Sequence, residues 1–82
     1  MNPESLRHQV LRVMSNVLGV SVHDIDDNSS NDTITSWDSV RHIDLVMSLE
    51  EEFDIGIETE QMLDMMNAKL VILIVEELLY SK

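Results

Sequence analysis

Ser39 is the residue whose neighbours invite a chemical reading. It sits in the run S36-W37-D38-S39-V40-R41-H42-I43-D44, with acids at 38 and 44 and a histidine three residues on. Serine, histidine and aspartate are the parts of an activated nucleophile, which needs a base within hydrogen-bond reach of the hydroxyl and a third group to orient that base. Residues three apart on a helix are neighbours, so His42 can approach Ser39. The same period turns His42 toward the apolar side of its helix, and no sheltered oxyanion site lies nearby, so catalysis is not the expectation. A serine there can instead receive a group. With Asp38 capping the helix, the Ser39 hydroxyl stands at the first turn, beside free backbone N–H groups and the positive end of the dipole, a field that suits an attached phosphate. Ser39 as a plain helix-start residue is the duller alternative, since Ser and Asp are common at caps.

A second cluster, D24-I-D26-D-N28, opens like a calcium loop. It stops resembling one at its sixth position, Ser29 in place of glycine, and at its twelfth, Thr35 in place of a bidentate glutamate. Solvated loop acids account for it, and no metal site is expected. There is no cysteine, so disulfides and thiolate metal sites are excluded.

Those residues must be positioned by a small frame. The chain has 82 residues, one domain spanning 1–82, near the lower limit for a core without staples. Leu6, Val10, Val13, Met14 and Val17 fall on one face of a helix over residues 5–18, with Pro3 and Ser5 as start signals and Gly19 as its end. Residues 19–37 then lose the period, leaving Val20, Val22, Ile25 and Ile34 as anchors of a long ordered loop. A second helix is predicted over 39–53, a short third from Thr59 to about Met66, and a fourth over 68–80 with Asn67 as its cap. The run LVILIV at 70–75 could be a strand in isolation, but Glu76 and Glu77 break it at helical spacing and no second strand exists to pair with it. The expected fold is all-α: a small four-helix bundle of three longer helices and one short helix, with a long loop between the first two.

Charge narrows the partners. Sixteen acids against five Lys and Arg give a formal net charge of −11. Thirteen of the acids lie between Asp24 and Asp64, where Arg41 is the one base, while Arg7, Arg12, Lys69 and Lys82 lie outside. Such a surface repels nucleic acid and attracts basic protein surfaces. The start MNPESLRHQV has no basic segment leading into an apolar stretch, and LVILIV is too short to span a bilayer. A cytoplasmic, monomeric protein that does not engage membranes is the expectation.

The second helix carries two apolar stripes. At about 100° per residue from Val40, His42, Leu45, Val46, Leu49 and Phe53 fall between roughly 140° and 240°, which suits a core face. Val40, Ile43 and Met47 fall between roughly 300° and 360°, ringed by Asp44, Glu50, Glu51 and Asp54. Glu50, Glu51 and Glu52 also crowd the C-terminal turn, where the dipole disfavours acids by about 0.3–1 kcal/mol each. Apolar residues inside an acidic ring read as a docking surface for basic partners, formed by Val40, Ile43, Asp44, Met47, Glu50 and Glu51. Met47, Met62, Met65 and Met66 could line an adaptable apolar lumen or fill the core, and the fourth helix is apolar around most of its circumference.

Taken together, D38-S39-V40, I43, L45-V46 and L49-E50-E51-E52-F53 resemble the modification motif and second helix of acyl carrier proteins. L18-G19-V20 upstream, with Gly19 lying 19 residues before Asp38, and the order of helices extend the likeness over nearly the whole chain. The resemblance implies a non-catalytic carrier. A phosphopantetheinyl transferase would attach 4′-phosphopantetheine from coenzyme A to Ser39, with Asp38 as the motif's capping residue. The arm's thiol would then hold acyl groups as thioesters for acyl-activating or acyl-transferring enzymes and synthases with basic docking surfaces, in fatty-acid-like, polyketide or other specialised biosynthesis. Ser36, Trp37, Val40 and Arg41 depart from the commoner family pattern around the serine, which points to a dedicated carrier in a specialised pathway. The acidic second helix and the lack of a glycine pair before Ser39 favour the acyl over the peptidyl branch. The alternative is an acidic helical interaction module without a prosthetic group.

Overall fold

The computed structural model describes residues 3–80, with side chains from residue 5 onward; Lys82 lies outside the described residues. Four helices form: α1 over Pro3–Leu18, α2 over Ser39–Phe53, α3 over Thr59–Asp64 and α4 over Ala68–Tyr80. A single 3-10 turn at Val22–Asp24 punctuates the long connection between α1 and α2. This is the all-helical small bundle that the sequence leads one to expect, within extents of 34 × 26 × 19 Å.

α1 begins at Pro3, whose fixed φ and missing N–H suit a first turn. It ends at Gly19, which takes φ +70 and closes the last turn through its N–H to the Ser15 carbonyl at 2.9 Å; a left-handed residue there favours glycine. The buried face of α1 is Leu6, Val10, Leu11, Met14 and Leu18. Val13 and Val17 are half-buried at its margin, so the face is rotated slightly from the one the spacing predicts. α2 contributes Leu45, Val46, Leu49 and Phe53, and α4 contributes Ala68, Val71, Ile72 and Val75. These three helices enclose the core, with Ile25, Ile34, Trp37, Ile55 and Met65 sealing its ends.

The long connection is ordered by what it holds. Ile25 and Ile34 are buried, while Val20 and Val22 pack half-buried against the core. Its backbone also completes α4. The carbonyls of Ser29 and Asp27 accept the Ala68 and Lys69 N–H groups at 2.9 and 3.2 Å, and Asn67 Oδ1 accepts that of Leu70 at 2.9 Å. The first N–H groups of a helix have no partner within it, so these acceptors satisfy an end that is otherwise buried and orphaned. Asp26 and Ser29 stiffen the same segment: Asp26 Oδ1 accepts from Asn28 N and Ser29 Oγ from Asp26 N, both at 2.9 Å. Asp27 pairs with Arg7 of α1 at 2.5 Å, a half-exposed bridge that orients more than it stabilises.

α3 departs from its expected bounds at one end. It starts at Thr59 as expected, capped by Glu58, with Gln61 Oε1 reaching back to the Glu58 N–H at 2.9 Å in a capping box. It ends at Asp64, not near Met66, because Met65 leaves helical geometry (φ −78, ψ 64) and turns its side chain into the core.

Candidate functional site

The start of α2 is built by its cap. Asp38 holds an extended backbone (φ −101, ψ −174) and its Oδ1 accepts the Arg41 N–H at 2.9 Å. The Asp38 carbonyl accepts from His42 N at 2.8 Å. Ser39 is thereby the first residue of α2, and its side chain is exposed. It stands, as an exposed residue, at the positive end of a 15-residue helix, an arrangement that favours an anion attached there.

The approach to Ser39 is held in place from behind. Ser36 Oγ donates to the Leu18 carbonyl at 2.6 Å, tying the segment before the cap to the end of α1. Trp37 is buried, with its own N–H on the Ile34 carbonyl at 3.0 Å. Its indole stacks on the His42 ring at a centroid distance of 6.0 Å and an interplanar angle of 28°. The indole Nε1–H donates to His42 Nδ1 at 2.9 Å, and His42 Nε2 lies 2.8 Å from the Met62 carbonyl of α3. Both ring nitrogens of His42 are therefore engaged away from Ser39. The imidazole is a packed, half-buried cross-brace, and a Ser39–His42 nucleophile is not assembled.

Beside Ser39 lies an open groove of about 660 Å³. Trp37, Asp38, Ser39, His42 and Ile43 form one side of it, and Met62, Leu63, Met65 and Met66 the other, with Asn31 and Thr35 of the connection at its margin. The methionines thus do not enclose a lumen. Met65 is buried, Met62 half-buried and Met66 exposed along this groove, and Met47 stands elsewhere, exposed on the outer side of α2. α4 contributes no lining residue to the groove, so the apolar surplus on α4 does not shelter anything here. The exposed Leu63, 67% accessible, was not foreseen as part of the site. The signal for it is the pair Leu63 and Met66, three apart, at a short helix end that has no core to face.

On α2 the second apolar stripe is exposed as the helical angles predict: Val40 is 68%, Ile43 50% and Met47 60% accessible. Asp44 and Glu51 are exposed beside it. Glu50 is different. It is half-buried, and its Oε2 accepts the Ile57 N–H at 2.9 Å while its carbonyl accepts from Asp54 N and, at 3.1 Å, from Ile55 N. One of the three glutamates crowding the end of α2 therefore has an internal purpose, satisfying backbone donors in the turn to α3. Its carboxylate offers a partner less than that of Glu51. Arg41, the base within this acidic surface, reaches back to the Val17 carbonyl at 3.4 Å, placing a cation at the negative end of α1.

No protein-family model matches the chain. Among the described residues, no helix is long and apolar enough to cross a membrane. The functional reading accordingly rests on the sequence motif and on the geometry at Ser39.

Proposed function

We propose that this protein is an acyl carrier: Ser39 receives a 4′-phosphopantetheine arm from coenzyme A, and the loaded chain presents acyl groups to partner enzymes in a specialised biosynthetic pathway, as a monomer in the cytoplasm. The observation that carries the reading is exposed Ser39 at the capped, dipole-positive start of α2, beside a groove with apolar walls. A hydroxyl shut inside the core would have removed the possibility of modification.

The residues present fit such a group. The first turn of α2 favours the negative charge of a phosphodiester, and Asp38 fixes that turn through Arg41 N. Val40 and Ile43, near it on α2, are themselves exposed, which supports access by a modifying enzyme. In the attachment, the Ser39 oxygen forms a bond to the pantetheine-side phosphorus of coenzyme A. The pyrophosphate P–O bond breaks, 3′,5′-ADP leaves with the electron pair, and the serine proton passes to a base of the transferase. When bound, the arm supplies the thiol that this cysteine-free chain lacks. Val40, Ile43 and Met47 would bury apolar area against a partner while Asp44 and Glu51 steer its basic surface.

Incubating the unmodified protein with coenzyme A and a broad-specificity phosphopantetheinyl transferase is expected to add one phosphopantetheinyl mass to the wild type and none to Ser39→Ala, as read by intact mass. Failure of the wild type to gain that mass would leave an acidic helical interaction module without a prosthetic group. Equal modification of both proteins would place the site at another residue.

A further inference from the structure

None of the six residues of α3 is fully buried, and Met62 alone among them packs, half-buried, against the core, so the apolar packing on the helix itself is slight. A side-chain hydrogen bond ties α3 to α2: His42 Nε2 pairs with the Met62 carbonyl at 2.8 Å. The partners of His42 determine where its proton sits. An indole N–H can only donate, and that of Trp37 points at Nδ1 from 2.9 Å. Nδ1 therefore presents its lone pair, and the proton of the neutral ring is on Nε2, directed at the Met62 carbonyl. Trp37 is itself immobilised by burial, by its backbone bond to Ile34 and by the stack on His42.

We infer that His42 is a latch whose tautomer is set by Trp37, and that it pins α3 as the movable wall of the groove beside Ser39. The latch is closed when Nε2–H holds the Met62 carbonyl. Met62, Leu63 and Met66 then stand across the groove from Ser39 and Ile43. When it is broken, α3 keeps half-buried Met62 and, just past its end, buried Met65 as its apolar attachments, and the groove widens. His42 acts here as a positioning residue, through α3, and touches no reacting atom. What the groove admits rests on the carrier reading, because its occupant would be the arm on Ser39 or its cargo. The latch itself belongs to the unmodified chain and is tested there.

The experiment compares the full, unmodified chain with Trp37→Phe, which keeps a stacking ring but removes the N–H, and with His42→Ala. Nitrogen-15 shifts of the wild-type imidazole are expected to report Nε2–H alone, and Trp37→Phe to release the second tautomer. Amide exchange over residues 62–66 should quicken roughly five- to tenfold in both variants, the effect of one hydrogen bond lost locally, while α1 and α4 keep their protection. Unchanged exchange at 62–66, a wild-type proton on Nδ1, or a uniform loss of protection across every helix would each overturn the latch; the last would make the pair ordinary packing. None of these results bears on whether Ser39 accepts phosphopantetheine, and a failed modification leaves the latch measurement intact.

Discussion

The two sides of α2 carry similar apolar residues in opposite circumstances. Leu45 and Leu49 are fully buried, whereas Val40 and Met47, on the far side of the same helix, are 68% and 60% accessible. One stripe is accounted for by folding, since the core between α1, α2 and α4 closes over it. The other is left exposed by the described residues, and its three sizeable apolar side chains, beside Asp44 and Glu51, form the surface we propose for a partner. The contrast teaches that composition along a helix does not separate packing from recognition, while angle and burial together do.

The sharpest way to break this comparison is to truncate both stripes. Leu49→Ala should cost about 2–5 kcal/mol, because the buried site loses transfer energy and keeps a cavity. Val40→Ala should change stability by no more than about 0.5 kcal/mol. Urea unfolding of both variants checks this, and equal losses would mean that the outer stripe is part of the fold after all.

A second, smaller contrast lies within the acidic turn. Glu50→Ala removes the acceptor of the Ile57 N–H and should cost about 1–2 kcal/mol, below the full range for a bond to a buried charged group because Glu50 is half-exposed. Glu51→Ala should be close to neutral by thermal unfolding. Glu51→Lys should stabilise the fold slightly, by about 0.3–1 kcal/mol, by placing a cation at the C-terminal end of the helix dipole. The same change should slow modification at Ser39 by a phosphopantetheinyl transferase, and the difference from wild type should shrink as salt is added. A salt-independent difference would remove the electrostatic part of the docking surface.

Much of this was legible in the sequence for identifiable reasons. Asp38 and Asn67 mark helix starts because a short side-chain oxygen before an apolar period can reach the free N–H groups, and both do so. The two stripes of α2 followed from the helical period alone. Only the end of α3 was misplaced. Its start at Thr59 was legible, but Met65 ends the helix early because the core takes its side chain, a tertiary demand invisible in one dimension. The role of Glu50 was hidden for the same reason. Its acceptance of the Ile57 N–H depends on the path of the turn after α2, which spacing does not encode. The cross-brace from Trp37 through His42 to Met62 joins residues far apart in sequence, and only the inward position of His42 hinted at it.

The first turn of α4 borrows its backbone acceptors from Asp27 and Ser29, some forty positions earlier in the chain. Neither partner in that exchange is finished without the other. A nascent chain emerging N-terminus first would hold those two carbonyls open until residue 69 arrived, so assembly should come as one late, cooperative event.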